Sequence, residues 1–155
     1  MEFEFSVAAW EALHKASENG EVYNLIDKEG WDAGVWHTEP DVVVFRHRDL
    51  WCVLRRTPGG HWCGYVAVAP GHPWYGMERT WDVPGEVHGG VTYSAIEDGG
   101  GKAWIVGWDA AHSNDYTPNR SFWASPYGVY RDVGYAHEET LSLARQAAAA
   151  AAVSN

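Results

Sequence analysis

The residues whose types could carry out chemistry lie between His88 and His112. In His88-Gly89-Gly90-Val91-Thr92-Tyr93-Ser94, two glycines follow a histidine, and two hydroxyls and a phenol come next. Glycine pairs allow a tight turn or a close approach of the backbone to a ligand, and hydroxyls both donate and accept hydrogen bonds. Asp109, His112 and Asp115 follow at intervals of three residues. We expect these polar side chains to lie where the end of a sheet opens into a loop.

Asp109, His112 and Asp115, together with His88, are of the types that bind zinc, manganese or iron. On a helix, the spacing of three would place Asp109, His112 and Asp115 on one flank. The alternative is structural: Asp109 caps a turn, His112 makes a hydrogen bond and Asp115 is solvated. The chain has no HxxxH, HExxH or CxxC spacing, so Asp109, His112 and Asp115 are the predicted ligands only if a metal is bound. No cofactor is expected.

His88 has two interpretations. As an enzyme residue it would be a general base beside Tyr93 or Asp109, in a hydrolase or phosphodiesterase with His88 and Asp109 as catalytic residues. As a binding residue it would form a hydrogen bond to a ligand from a turn. The second is preferred because Ser94 lacks a GxSxG context and the chain has no phosphate-cradling GxxxxGK[ST] or dinucleotide GxGxxG motif.

Aromatic residues are unusually frequent, with 10 Trp and 8 Tyr in 155 residues. Such rings can fill a core or line a pocket for a flat ligand. The loop that contains His72, Trp74 and Tyr75 has two equally good interpretations: it forms an aromatic wall of a site, or it is a hydrophobic lid on the end of the sheet. The predicted ligand-binding residues are His72, Trp74, Tyr75, His88, Thr92, Tyr93, Ser94, Trp108, Asp109 and His112. For phosphate or carboxylate groups the candidates are Arg55, Arg56, Arg79, Lys102 and Arg120, each of which is also compatible with a solvated surface charge.

Length and charge limit the classes of function. A chain of 155 residues is predicted to form one domain, residues 1–155, with the motif region at residues 64–116. The net charge of −10 argues against a general affinity for nucleic acid. The N-terminus does not resemble a signal peptide and no apolar run is long enough to cross a bilayer, so a cytoplasmic protein is expected. Cys52 and Cys63 are expected to be small buried residues rather than a disulfide.

The patterning predicts an α+β fold in which helices flank a mainly antiparallel sheet of about five strands. Ser6 and Asp132 are the predicted N-caps of the two helices. Short turns between the first three β-rich runs predict a meander, a strand is expected near Glu21–Ile26, and a long loop over 113–128. The predicted helices are 5–17 and 133–152, and the predicted strands are 41–46, 50–56, 61–69, 87–96 and 103–108.

Several of these motifs together resemble a family of small proteins of tailed phages and prophages. The resemblance is carried by Gly64-Tyr65-Val66-Ala67-Val68, Pro70-Gly71-His72-Pro73 with Tyr75-Gly76, His88 to Ser94, Trp104, Gly107-Trp108-Asp109, His112 and Asp115, and by Tyr130 and Tyr135. It covers the chain from Gly64 to the C-terminus, and the combination is more specific than any single piece. Trp108 stands where the family usually has phenylalanine, and Ala111 where cysteine is frequent; neither departure touches the polar set.

The resemblance implies a phage context rather than a defined chemistry. By analogy with small phage accessory proteins that inhibit host defence, it implies sequestration of a nucleotide-like signal, either a cyclic nucleotide or an ADP-ribose derivative. The expected partner is therefore a small molecule, with no membrane and no general nucleic-acid binding. A homo-oligomer is compatible with the alanine-rich C-terminal helix. The alternatives are a hydrolase that cleaves such a signal and a protein-binding inhibitor that uses exposed tryptophans.

Overall fold

A computed structural model describes residues 3–18, 26–119 and 127–154. Five strands form one antiparallel sheet in the order β1-β2-β3-β5-β4, with a helix at each end of the chain. The predicted α+β class and its five-stranded antiparallel sheet are confirmed. The elements are α1 (Val7–Glu18), β1 (Val42–His47), β2 (Leu50–Arg56), β3 (Trp62–Val68), β4 (Tyr93–Ile96), β5 (Trp104–Asp109) and α2 (Val133–Ser154).

Both helices begin at the predicted caps. Ala9 N–H donates to Ser6 Oγ at 3.4 Å, so α1 begins immediately after Ser6. Tyr135 N–H donates to Asp132 Oδ1 at 2.8 Å and Ala136 N–H donates to the Asp132 carbonyl at 2.9 Å. A side-chain oxygen therefore satisfies one of the free N–H groups at the start of each helix, as the sequence predicts.

The two helices cover opposite faces of the sheet, because both sides of its central strands are apolar. On the α2 side the core contains Leu54, Val66, Trp108 and Leu143, and on the α1 side it contains Trp10, Val53, Tyr65 and Ile105. Side chains alternate along β2, so that Cys52 and Leu54 face α2 and Val53 faces α1. Cys52 and Cys63 lie in these two different cores and are free thiols, which agrees with the expectation of no disulfide.

The strand predicted over 87–96 is shorter in the structure: Tyr93–Ile96 pairs with β5, and Thr92 N–H donates to the Gly107 carbonyl of β5 at 2.9 Å. Gly89 and Gly90 have φ angles of 69° and 83°, and Gly90 N–H donates to the Val87 carbonyl at 2.8 Å. The glycines form a turn there, and residues with positive φ do not continue a strand. The glycine-rich segment 97–103 joins β4 to β5, and β4 lies at the edge of the sheet.

A buried ionic network anchors the segment before β1. Arg56, whose side chain is fully buried, donates to Asp41 at 3.0 Å and to Glu39 at 3.1 Å. Lys28 lies 2.7 Å from Asp41. Glu39 also accepts hydrogen bonds from the Tyr130 hydroxyl and from Val133 N–H, the first residue of α2. Charged groups this deeply buried are tolerated only when they are paired, so the network fixes the sheet, the preceding segment and the start of α2 together.

Some predictions fall on parts of the chain outside the described residues. These are the strand expected over 21–26, apart from Ile26, as well as Arg120 and the middle of the loop over 113–128. Within the described part of the chain, neither helix has an apolar stretch of the length needed to cross a bilayer.

Candidate functional site

A polar cluster surrounds Asp115, where the end of β5, the turn before β4 and the start of α2 meet. His88 Nε2 lies 2.9 Å and His112 Nδ1 lies 3.3 Å from Asp115 Oδ2. Arg131 Nε donates to Asp115 Oδ1 at 3.0 Å. The group, called the Asp115 cluster below, consists of His88, Thr92, Asp109, His112, Asp115, Arg131 and Tyr135.

The turn after β5 brings His112 to Asp115. His112 N–H donates to Asp115 Oδ2 at 3.0 Å, and Asp115 N–H donates to the His112 carbonyl at 2.9 Å. Asp109 accepts from Ala111 N–H at 3.1 Å and from the Thr92 hydroxyl at 2.8 Å. Aspartates that accept local backbone N–H groups stabilise turns, so the three-residue spacing produces a turn here rather than a helix.

Gly89 makes room for His112. A Cβ atom built on Gly89 would lie 2.2 Å from His112 Cε1, so the imidazole ring lies directly against the Gly89 backbone. This is the close backbone approach that the two glycines predict, although the neighbour is a histidine of the protein itself. It keeps His112 beside His88, with the two ring centroids 5.7 Å apart.

Helix α2 and the residue that precedes its cap contribute side chains that the sequence did not single out for the site. Tyr135 Oη lies 2.7 Å from His88 Nδ1, Glu139 accepts from His88 N–H at 2.8 Å, and Arg131 binds Asp115. Arg131, Tyr135 and Glu139 lie on both sides of the predicted cap Asp132. That proximity to a helix start was the available signal, but nothing in the sequence paired this helix start with His88.

Hydrogen bonding determines the protonation of Asp115 and the tautomer of His88. Burial alone would raise the pKa of the Asp115 carboxyl, but bonds from His88, His112 N–H and Arg131 outweigh it and hold that pKa below its usual value. Because an ionised carboxylate only accepts, the proton on a neutral His88 is on Nε2, and Nδ1 accepts from the Tyr135 hydroxyl. Burial and the nearby Glu139 carboxylate raise the pKa of Tyr135, so its phenol stays protonated at neutral pH.

Exposure makes one edge of the cluster accessible. The His112 and Asp109 side chains are 39% and 29% exposed, whereas Asp115 is 1% exposed. A ligand would therefore meet His112, Asp109 and Thr92 first, with His88 and Asp115 behind them. Trp108 lies below the cluster, with its ring centroid 5.6 Å from that of His88 and its indole N–H donating to Thr140 Oγ1 at 2.9 Å.

The predicted ligand-binding residues separate into groups. His88, Thr92, Asp109 and His112 come together, with the buried Trp108 below them. Tyr93 lies on the α1 side of the sheet, where its ring stacks on Phe5 at 4.7 Å. The Ser94 hydroxyl donates to the Met77 carbonyl at 2.6 Å and accepts from the Trp104 indole at 2.9 Å. A ligand role for each of these residues stays a prediction.

His72, Trp74 and Tyr75 pack away from the cluster. His72 Nε2 lies 2.8 Å from the Ala147 carbonyl, and Ala147 is about 18 Å along α2 from Tyr135 at ~1.5 Å per residue. Trp74 is 2% exposed, and the Tyr75 ring lies 5.5 Å from that of Trp104. These contacts correspond to the hydrophobic lid, the second of the two interpretations of this loop.

Among the described residues near the cluster, cations are fewer than carboxylates. Of the predicted phosphate-binding residues, Arg56 belongs to the buried network, Arg55 lies over the Phe3 ring at 5.0 Å and Arg79 pairs with Asp82. Arg131 is the cation that contacts Asp115, while Asp109, Asp115 and Glu139 contribute negative charge. The cluster therefore attracts cations more strongly than anions.

Comparison of the chain with protein-family models, with curated proteins and with solved structures found no match.

Proposed function

We propose that this protein binds a small nucleotide-like molecule at the Asp115 cluster and retains it without turnover. The observation that supports this is the convergence of His88, Thr92, Asp109 and His112, which are up to 24 residues apart in the chain, on one partly exposed surface. Sites that bind small polar molecules combine a few converging polar groups with a rigid scaffold. Here the scaffold is the end of β5 and the first turn of α2.

The exposed groups match the functional groups of a nucleotide. The Asp109 carboxylate accepts hydrogen bonds from ribose hydroxyls or a base amine, and Thr92 and His112 can donate to oxygen atoms. Retention is favoured over cleavage because Ser94 lacks a GxSxG context and the chain has no GxxxxGK[ST] or GxGxxG motif.

A hydrolase that cleaves the same class of molecule is the second candidate, and one observation favours it. Asp115 orients the His88 ring through Nε2, which leaves Nδ1 as a proton acceptor 2.7 Å from a hydroxyl oxygen. A carboxylate that orients a histidine is the arrangement of a general base. In that function a substrate hydroxyl or water would take the place of the Tyr135 hydroxyl.

The biological setting of the proposal comes from the resemblance to tailed-phage proteins. With that context, the bound molecule would be a cyclic nucleotide or ADP-ribose-derived signal, and the protein would act in the host cytoplasm against host defence. This step is an analogy between families of similar size and context.

The test is incubation of the pure protein with a panel of cyclic nucleotides and ADP-ribose derivatives, followed by chromatography of the supernatant before and after heat denaturation. Sequestration predicts that one compound disappears and returns intact. Recovery of fragments would replace sequestration with the hydrolase, and no change across the panel would contradict both.

Matched histidine variants locate the site. The His112 and His137 side chains are 39% and 40% exposed, but only His112 belongs to the Asp115 cluster. We expect His112→Ala to lose retention at least ~10-fold, since one charged or polar contact contributes about 1.5 kcal/mol or more. His137→Ala should retain the compound as the wild type does.

If the protein instead inhibits a host protein, both variants should inhibit, and replacement of Trp81, which is 77% exposed, should abolish inhibition.

A further inference from the structure

We infer that His88, His112 and Asp115 bind one divalent transition-metal ion, zinc or a close neighbour in the first transition series. The ion would also have a role, which rests on the proposed function: it would supply the positive charge that this acidic cluster needs in order to hold a phosphate group. The metal site itself depends only on the geometry and chemistry of the cluster.

The donor atoms lie at suitable distances. His88 Nε2 is 2.9 Å and His112 Nδ1 is 3.3 Å from Asp115 Oδ2, and one potential ligand atom from each of the three residues lies within 4.8 Å of the other two. Ligand atoms around a tetrahedral zinc ion, at bonds of ~2.0–2.2 Å, are roughly 3.3–3.5 Å apart. An ion fits after the His88 ring and the Asp115 carboxylate separate by a few tenths of an ångström. The sequence predicted Asp109, His112 and Asp115 as the ligands if a metal is bound. In the structure the close group is His88, His112 and Asp115, and Asp109 Oδ1 lies 3.9 Å from His112 Nδ1.

The far sides of the ligands are already held. Tyr135 Oη lies 2.7 Å from His88 Nδ1, and Arg131 Nε donates to Asp115 Oδ1 at 3.0 Å. Asp115 Oδ2 accepts from His112 N–H at 3.0 Å and, as a carboxylate oxygen, has a further lone pair for the ion. Hydrogen bonds of this kind orient the ligands in most protein metal sites. Metal binding at Nε2 would move the His88 proton to Nδ1, where it would donate to the Tyr135 oxygen, so the same contact serves both tautomers.

The donor set selects the type of ion. Two imidazole nitrogens and one carboxylate suit zinc, iron, cobalt and nickel better than magnesium or calcium, which prefer oxygen ligands. Asp109 Oδ1 lies 3.9 Å from His112 Nδ1, and the Asp109 side chain is 29% exposed, so it can provide a fourth ligand or hold a metal-bound water. The 39% exposure of His112 gives the ion access from solvent and leaves room for a phosphate oxygen at the open position.

Charge favours the ion despite Arg131. Among the described residues, the carboxylates of Asp109, Asp115 and Glu139 outnumber the Arg131 guanidinium. Arg131 is bound to the opposite oxygen of Asp115, away from the oxygen that faces His88 and His112. The competing explanation is that the His88–Asp115 hydrogen bond is only structural, and this explanation predicts no selective metal binding.

Zinc and cobalt titrations of the full-length protein, after treatment with EDTA and dialysis, test the inference. Isothermal titration calorimetry should give one zinc ion per chain, and cobalt should produce the intense visible absorption of a four-coordinate ion. We expect His112→Ala to weaken zinc binding at least ~10-fold, because a ligand is lost, and His137→Ala to bind as the wild type. Circular dichroism of both variants establishes that they remain folded.

Zinc binding that is no tighter in the wild type than in His112→Ala, or a cobalt spectrum unchanged from that of the aqueous ion, would overturn the inference. The outcome is separable from that of the proposed function. Retention of a nucleotide by metal-free protein would leave the proposed function standing and remove the role of the metal. Selective zinc binding without retention of any compound in the panel would leave the metal site and remove the proposed function.

Discussion

Gly89 has a φ of 69°, and a Cβ atom at this position would lie 2.2 Å from the His112 ring. Gly90 has a φ of 83°, but a Cβ atom there would meet nothing within 4 Å. At both positions alanine would be strained by the left-handed backbone, at a cost of about 1–2 kcal/mol. Only at Gly89 would it also displace a residue of the Asp115 cluster, so the neighbouring glycines form a matched pair.

We therefore expect Gly89→Ala to weaken binding of zinc, or of the retained nucleotide, at least ~10-fold. Gly90→Ala should lower the free energy of unfolding by about 1 kcal/mol and leave binding unchanged. Urea denaturation and calorimetry measure the two effects separately. Equal binding by both variants would show that contact with the Gly89 backbone does not position His112.

His61 provides a prediction on pH. Burial lowers its pKa; Arg55 and His112 act in the same direction, while Asp109 and Asp115 oppose them. The unfolded chain then binds more protons than the folded one near the ordinary histidine pKa of about 6.5. The contribution of His61 to stability is therefore favourable above that pH and is lost as the pH falls through it.

Comparison with His61→Asn isolates this contribution from that of the carboxylates. We expect the difference in free energy of unfolding, wild type minus variant, to fall as the pH is lowered from about 7.5 to 5.5, by at most ~1.4 kcal/mol per pH unit. Urea denaturation at several pH values measures it. A difference that does not change with pH would show that His61 keeps its ordinary pKa in the folded protein.

At the scale of elements, α2 packs closely against β3, where Gly64 contacts Trp108 and Thr140. A Cβ atom on Gly64 would lie 1.9 Å from Thr140 Oγ1 and 2.5 Å from Trp108 Nε1. These two atoms form a buried hydrogen bond of 2.9 Å. The missing side chain of Gly64 lets the helix approach the sheet, and the same helix carries Tyr135 to His88.

Two glycine substitutions should have opposite effects on stability. Gly64→Ala should lower the free energy of unfolding by about 1–3 kcal/mol, because the extra methyl group overpacks the interface between α2 and β3. Gly134→Ala, at an exposed position in the first turn of α2 with its nearest contact at 3.5 Å, should raise it by about 0.5 kcal/mol. Thermal and urea denaturation measure both. An unchanged free energy of unfolding in Gly64→Ala would contradict close packing of α2 on β3 at the Trp108–Thr140 hydrogen bond.

Local sequence patterns predicted the helices and strands well, because the beginnings of helices and the turns between strands depend on residues that are close together in the chain. Capping oxygens at Ser6 and Asp132, short turns between β-rich runs and alternation along β2 each act over a few residues. The position of β5 between β3 and β4 depends on pairing across the chain. In the candidate site, too, the sequence predicted local contacts and not those between distant parts of the chain. The turn from Asp109 to Asp115 is local, whereas its contact with His88 and the contributions of Tyr135 and Arg131 require the folded sheet and helix.

At the scale of the whole molecule, the network of Arg56 joins parts of the chain that are distant in sequence. Its guanidinium contacts Asp41, Glu39 and the Tyr130 hydroxyl, and it also donates to the Gly60 carbonyl at 3.0 Å. Glu39 in turn accepts from the first N–H of α2. The start of α2, which supports the Asp115 cluster, is therefore held by groups that lie more than 70 residues away along the chain.

Removal of the buried Arg56 guanidinium should lower the free energy of unfolding strongly, whereas removal of an exposed guanidinium should change it little. Arg56→Leu removes the guanidinium that pairs with the buried carboxylates of Glu39 and Asp41, and we expect a loss of about 3–5 kcal/mol in the free energy of unfolding. Arg79→Leu breaks a pair whose side chains are 68% and 40% exposed, and it should change the free energy by no more than about 0.5 kcal/mol. Urea denaturation of both variants decides. Similar small losses would mean that the apolar core alone fixes the segment before β1, and binding at the Asp115 cluster should then also survive Arg56→Leu.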